Sequence, residues 1–261
     1  MNERQPYPQP GHVLRRLQVV YRAGAAGEMV GSLPDTSPLC GPDGTVRLGG
    51  AAIPIDMASG MLSAREVFPD HTATFDLALH LVEPFGPGPA DFVARVVRSG
   101  RNTLLSRVEM TVGGRTVVEG TITFSRRTVE ERYRRDPPDD VVDLAAAGEA
   151  PLDRPAADVV GFRDEPGGGT GFDLSLPIRN SFDSIQGGVT ALAMEEAACR
   201  ASGRPGQVRA TYVHVYYLAG AKGGPFRVDA RRLGPGAYDT ELRDTSADRL
   251  MAIGSVVLAD I

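Results

Sequence analysis

The sequence predicts an α+β protein of two similar halves, each an antiparallel sheet wrapped round one helix. Two helix candidates, about 51–60 and from Gly187 onward, open on paired glycines, Gly49-Gly50 and Gly187-Gly188. Four strand candidates then follow in the same order: about 72–83, 90–99, 103–112 and 115–126, and again 207–218, 225–233, 236–244 and 249–260. A constant offset of 134 sets Phe92 on Phe226, Arg98 on Arg232, Gly100 on Gly234, Arg115 on Arg249 and Gly120 on Gly254, which reads as an internal duplication. One meander round one helix cannot cover its own edges. Two copies side by side continue the sheet and bury the contact between their helices.

Taken in order, residues 1–12 are polar and proline-rich and are expected to be disordered. Leu14–Tyr21 fits a short helix or a strand and leads into Glu28–Leu33, and the Pro/Gly/Asp/Ser-rich 34–44 is a turn region. In the helix candidate, Pro54 requires a place in the first turn. Thr74, Asp76, Ala78 and His80 alternate with Phe75, Leu77, Leu79 and Leu81, the pattern of a half-buried strand. Gly113-Gly114 between two β-rich runs marks a hairpin. Arg126–Pro155, first basic and then acidic, reads as a solvated linker, with arginines meeting phosphates as the sharper alternative. The domain reading is a disordered 1–12, a first half at 13–127, a linker at 128–155 and a second half at 156–261. Gly167-Gly168-Gly169 follows no strand–turn–helix pattern and is read as a connection.

Composition narrows the function. Hydrophobic content of 42% and charged content of 23% are those of an ordinary soluble domain. A formal charge of −5 makes no electrostatic case for nucleic acid or an anionic membrane. Two cysteines, Cys40 and Cys199, make no disulfide framework, and the four histidines sit in no metal or nucleophile motif. With no signal-peptide core and no apolar run near the roughly 20 residues of a membrane span, a cytoplasmic protein is expected.

The chain is organised around Asn180-Ser-Phe-Asp-Ser-Ile-Gln186-Gly187-Gly188, followed by a helix that carries Glu195 and Glu196. A helix starting at a glycine pair leaves backbone N–H groups pointing forward, and the absent side chains let a ligand oxygen approach. The spacing resembles the active-site segment of hotdog-fold acyl-CoA thioesterases of the phenylacetate-degradation and 4-hydroxybenzoyl-CoA type. That family sets an Asn or Gln seven residues before a Gly, and an Asp or Glu eight after it. Asn180, Gly187 and Glu195 occupy those places. Where the family often writes Asn-x-x-Gly-x-x-His-Gly-Gly, Asp183 replaces the first Gly and Gln186 the His. The resemblance implies a double hotdog, a fused pseudo-dimer, with an acyl-CoA or acyl-carrier-protein thioester as substrate.

Helix geometry decides which groups can cooperate. Eight residues on one helix span roughly 12 Å, whereas a base and an oxyanion donor must both lie within about 3 Å of the reacting atoms. An antiparallel partner helix resolves this, and the partner here bears Asp56. Two composite half-sites follow: Asn180 and the Gly187 N–H with Asp56, and Glu195 with Gly49 or Gly50, where Pro42 stands seven residues before Gly49. The first has all three chemical elements, while family resemblance alone points to Glu195, so both carboxylates stay in view. Gln186, Gly188, Gly49 and Gly50 are read as substrate-binding. The chemistry is thioester hydrolysis, with a carboxylate as general base or nucleophile. Coenzyme A enters only as part of the substrate, no metal is expected, and the assembly beyond the pseudo-dimer is left open.

Duller readings stand beside these. Asp56 could complement a helix start, Glu195 and Glu196 could be surface carboxylates, and Asn180 could turn its own loop. Gln186 could bond its own backbone, and Cys199 could be a small buried residue. Two other functions remain: a non-catalytic acyl-thioester binding protein, and a hotdog dehydratase or cyclase, which needs His71, His80 or His214 in the cleft between the helices.

Overall fold

The computed structural model describes residues 7–128 and 139–261. In chain order the elements are α1 (Val13–Arg16), β1 (Val20–Ala23), β2 (Glu28–Leu33), α2 (Leu48–Glu66), β3 (His71–Leu81), β4 (Ala90–Ser99), β5 (Thr103–Val112) and β6 (Arg115–Arg127). Then come β7 (Val141–Asp143), α3 (Ala156–Val160), β8 (Arg163–Asp164), β9 (Thr170–Phe172), α4 (Gly187–Ala201), β10 (Val208–Tyr217), β11 (Phe226–Gly234), β12 (Ala237–Asp244) and β13 (Arg249–Asp260). The strands form one antiparallel sheet in the order β7-β1-β2-β4-β5-β6-β3-β10-β13-β12-β11-β9-β8. Each expected strand of both meanders lies within two residues of an observed one. Gly113 and Gly114 have φ of 57° and 80°, as a two-residue hairpin turn requires.

The sheet is continuous through its middle because β3 pairs with β10, from Asp76 opposite Tyr216 to His80 opposite Tyr212. Helices α2 and α4 pack on each other and on this sheet. Both are buried almost all round, including Ala51, Ala52, Ile53 and Ile55 of α2 and Val189, Ala191, Leu192 and Ala193 of α4. Such helices are core elements rather than amphipathic surface helices. Their crossing relies on glycine. A Cβ on Gly188 would lie 2.5 Å from the Ile53 Cα, and one on Gly49 would lie 2.5 Å from the Leu192 Cα. The two backbones touch where side chains are missing.

Several expectations are corrected. Helix α2 starts at Leu48, so Pro54 sits two turns in rather than in the first turn, and its missing N–H leaves the Gly50 carbonyl without its intrahelical donor. Of the stretch expected to be disordered, residues 7–12 are placed, with Pro8 and His12 buried, while 1–6 lie outside the described residues. Leu14–Tyr21 contributes to both a helix and a strand. Within the linker span, Val141–Asp143 adds an edge strand to β1.

The single offset of 134 also changes along the chain. Bulges at matching places relate β3 to β10 by 136 (Thr74/Asp76 with Ala210/Tyr212) and β4 to β11 by 136 (Val96/Arg98 with Arg232/Gly234). For β5 and β12 the offset is 132, and for β6 and β13 it is 134. Arg115/Arg249 and Gly120/Gly254 therefore keep register, whereas Phe92/Phe226, Arg98/Arg232 and Gly100/Gly234 are displaced by two. The β4–β5 hairpin is four residues longer, bulge to bulge, than its counterpart β11–β12, which a gap-free comparison cannot absorb.

Candidate active site

Each of the two helices begins after the same loop. Backbone bridges join Cys40 to Val46 and Arg179 to Ile185, an offset of 139. That offset sets Gly44 (φ 75°) on Asp183 (φ 58°), Arg47 on Gln186, Gly49 on Gly188 and Asp56 on Glu195. Asp183 thus holds the left-handed backbone for which glycine is the usual residue, and Asp is among the few others that tolerate it. The loop partner of Asn180 is Gly41 rather than the expected Pro42: the Gly41 N–H donates to the Thr45 carbonyl at 2.8 Å, and the Asn180 N–H to the Ser184 carbonyl at 2.7 Å.

At the start of α4 the groups converge on Asp56 from the partner helix. Its Oδ2 accepts from the Gly188 N–H at 3.3 Å and from the Gln186 Nε2 at 2.9 Å, and its Oδ1 accepts from the Thr74 hydroxyl at 3.1 Å. Gln186 also donates to the Ile53 carbonyl at 3.0 Å, while its Oε1 caps the helix by accepting from the Val189 N–H at 2.9 Å. Every group bonded to Asp56 is neutral. Burial pushes its carboxyl up to about 6, although the bonds from Thr74, Gly188 and Gly187 pull the other way. A Cβ on Gly187 would lie 2.8 Å from Asp56 Oδ2, so glycine is what lets the carboxylate reach the helix start.

A cavity of about 620 Å³ opens beside these residues. Asp56, Gln186, Gly187, Thr74 and Tyr217 line it, and Met57, Met61, Phe124, Leu242 and Met251 give it apolar walls. Arg127 and Lys222 also line it and are exposed. The Tyr217 hydroxyl donates to the Gly187 carbonyl at 2.7 Å, bracing the first residue of α4.

The other half-site is closed. Glu195 is buried, its Oε2 accepts from the Gly49 N–H at 2.5 Å, and its Oε1 lies 3.5 Å from the Arg47 Nε. Arg47 also binds Glu196 at 2.5 Å, and Arg200 ties Glu196 (2.6 Å) to Asp164 (2.6 Å). Burial raises the Glu195 carboxyl, and Arg47 and the Gly49 N–H counter it in part. Neither Glu195, Gly49 nor Gly50 is among the residues lining the cavity.

The predicted site residues are thus divided. Asp56, Gln186 and Gly187 come together in the cavity, and Thr74 joins them unforeseen. Gly188, Gly49 and Gly50 do not line the cavity: the first two sit at the helix crossing, and a Cβ on Gly50 would press on the Leu39 carbonyl at 3.0 Å. Asn180 lines the cavity, but its side chain is spent on its own loop. Its Oδ1 accepts from the Phe182 and Ser184 N–H groups at 2.9 and 3.1 Å, and its Nδ2 donates to the Ile185 carbonyl at 3.2 Å. His71 lines the cavity, whereas His80 and His214 do not. Of the linker arginines, Arg126 is paired with Asp70 at 2.6 Å, and Arg132, Arg134 and Arg135 lie outside the described residues. No group of three or more potential metal ligands occurs among the described residues, nor is any of their helices long and apolar enough to cross a membrane.

Comparison with known proteins bears on this geometry. Residues 57–125 match the family model of the acyl-CoA thioesterase N-terminal domain. No curated protein sequence matches the chain. Among solved structures it is similar to an acyl-ACP thioesterase from Bacteroides thetaiotaomicron, with a TM-score of 0.63 at 8% identity over 90% of this chain and 98% of that one. A tesB protein of Mycobacterium avium subspecies paratuberculosis superposes with a TM-score of 0.59 at 14% identity, covering 95% of this chain and 98% of that one. The 12:0-ACP thioesterase of Umbellularia californica gives 0.60 at 9% identity, over 92% and 100%. At such identities these likenesses speak for the fold, and the segment matched by the family model begins one residue after Asp56. Residues 57–125 are thus similar to an acyl-CoA thioesterase N-terminal domain, within a fold that the chain shares with solved thioesterase structures over nine tenths of its length.

Proposed function

We propose that the protein hydrolyses an acyl thioester at the Asp56 end of the helix pair, as a double hotdog whose two halves, 13–127 and 156–261, form a fused pseudo-dimer joined through 128–155. The observation that carries this is a buried carboxylate, bonded only to neutral donors, at a helix start that faces a largely apolar cavity. The acyl chain occupies the walls formed by Met57, Met61 and Phe124. The carrier stays outside, where Arg127 and Lys222 attract the phosphates of coenzyme A or of a carrier-protein arm. Coenzyme A then belongs to the substrate, and the reaction calls for no separate cofactor.

The thioester carbonyl accepts from the Gly187 N–H, assisted by the α4 dipole; one such donor is typically worth about 10²–10³ in rate. Asp56 takes a proton from water as the water oxygen bonds to the carbonyl carbon. The carbonyl π pair moves onto oxygen. When it returns, the C–S bond breaks, and the thiolate leaves with the proton that Asp56 held. Gln186 and Thr74 act as positioning residues for Asp56, and Asn180 as one for the loop. Direct attack by Asp56 through an anhydride uses the same geometry.

Thiol release from a panel of short, long, branched and aromatic acyl-CoAs and acyl-carrier proteins tests the proposal. Saturable turnover lost in Asp56→Asn and kept in Glu195→Gln is expected; the opposite pattern would move the chemistry to the closed end. No wild-type turnover, with tight binding of acyl thioesters, would make this a binding protein. His71 is the one observation on the side of a dehydratase, and water loss from a 3-hydroxyacyl thioester would reveal it.

A further inference from the structure

The oxyanion donors at the start of α4 are fewer than the bare helix end promises. The Gly188 N–H is given to Asp56, the Val189 N–H to the Gln186 Oε1 and the Thr190 N–H to the Gln186 carbonyl, so the Gly187 N–H, which itself leans toward the Asp56 carboxylate, is the one donor left for a ligand oxygen. A tetrahedral oxyanion gains from a second donor. The Tyr217 hydroxyl is committed to the Gly187 carbonyl. The Tyr7 hydroxyl bonds to no described residue, and Tyr7 lines the same cavity as Asp56.

Tyr7 is held there by more than its own contacts. Its ring meets that of buried His12 edge-on at 5.2 Å, and the His12 Nδ1 accepts from the Leu14 N–H at 3.1 Å. Arg15 donates to the Pro8 carbonyl at 2.6 Å and pairs with Glu149 at 3.2 Å, while the Gly11 N–H reaches Glu149 at 2.8 Å. The segment before α1 is therefore tied to the connection between the halves, and it delivers a phenol to the cavity. Burial and the nearby Asp56 carboxylate push the phenol well above its ordinary range, so it acts as a hydrogen-bond donor and not as an acid.

We propose that Tyr7 is a further catalytic residue, its hydroxyl donating to the thioester carbonyl oxygen as the second oxyanion donor beside the Gly187 N–H. This rests on the hydrolase reading, and no proton leaves Tyr7 in the step. Tyr7→Phe, which keeps the ring contact with His12, is expected to lower kcat by about 10²-fold and to raise KM by no more than roughly tenfold. The second readout is binding of two inert substrate analogues in the full chain. In one, methylene replaces the thioester sulfur and the carbonyl is kept; in the other, a thioether, the carbonyl is gone. Tyr7→Phe should weaken the ketone by roughly five- to tenfold and leave the thioether unaffected. Equal losses for both analogues would mean that Tyr7 only shapes the cavity, and no loss for either would overturn the role outright. Because these measurements need no turnover, absent hydrolysis would defeat the hydrolase reading separately from the Tyr7 contact.

Discussion

The two ends of the helix pair are built alike and charged differently. Each has a loop closed by the same bridge, a glycine that lets the helices touch, and an acid nine positions into the partner helix. At one end the helix is entered through Gln186, which offers Asp56 an amide; at the other it is entered through Arg47, which offers Glu195 a guanidinium. Thr74, bonded to Asp56, has Ala210 as its counterpart across the sheet joint. A base needs an unshared charge near its working pH. Neutral partners and burial leave Asp56 in that condition, whereas an ion pair removes Glu195 from it. A few side chains on one scaffold thus separate a candidate catalytic end from a structural one.

The largest expected effect falls on Asp56→Asn. Turnover should drop by about 10²–10⁴-fold, with Glu195→Gln within a few-fold of wild type in the same thiol-release assay. The stability of Asp56→Asn should move the other way. Asp56 is raised in the fold from 3.8 to about 6, so its contribution is fully present below pH 3.8 and lost as pH rises through 6. Above pH 6 the Asn variant should therefore be more stable than wild type, by about 3 kcal/mol at most, and the two should converge near pH 4. Denaturant midpoints at pH 4, 6 and 8 check this; a variant less stable at pH 8 would mean that the carboxylate is better solvated than its burial indicates.

How much of this was legible in the sequence follows from distance along the chain. The meander strands were, because alternation and glycine pairs are local signals. The pairing of Asp56 with the α4 start was also legible, since helix rise alone forbids Glu195 from serving its own N-terminus. Arg47 was not: Pro54 drew the helix start toward residue 51 and left Arg47 in a loop. Thr74 was not either, because its approach to Asp56 depends on the bulge between Thr74 and Asp76, and alternation shows only that it faces one side. The glycine pairs were visible, but not that Gly188 and Gly49 face the partner helix, since nothing local says whether a missing Cβ faces a ligand or another backbone. Tyr7 fell inside a stretch whose composition looks disordered and whose anchor, Glu149, lies more than a hundred residues away.

The comparison is next broken by exchanging the entry residues. Gln186→Arg should give Asp56 the cationic partner that Glu195 has, lowering its carboxyl by about 1–3 units. The acidic limb of the kcat/KM profile should move down from about 6, and the plateau rate should fall because the base is now held in an ion pair. An unchanged profile would show that the entry residue does not set the charge state. The converse variant, Arg47→Ala, leaves Glu195 buried with only the Gly49 N–H. It should cost about 3–5 kcal/mol at pH 8 and less at pH 5, where Glu195 can take up a proton, with turnover per folded molecule kept.

The smallest effect distinguishes positioning from chemistry. Thr74→Val removes one hydrogen bond from the ionised form of Asp56 and keeps the shape of the strand. That bond opposes the upward push of burial, so its loss should raise the midpoint of the acidic limb above 6. The expected rise is about 0.5–1 unit, from the usual worth of one hydrogen bond. At pH 6 the rate should fall by about two- to fivefold, and at pH 9, where Asp56 is ionised in either protein, most of the difference should vanish. Ala210→Thr, the matching change beside the closed end, should leave the profile where it is. A Thr74→Val deficit that persists at high pH would instead make the hydroxyl a direct contact of the attacking water, and would move Thr74 from positioning Asp56 to touching the reaction itself.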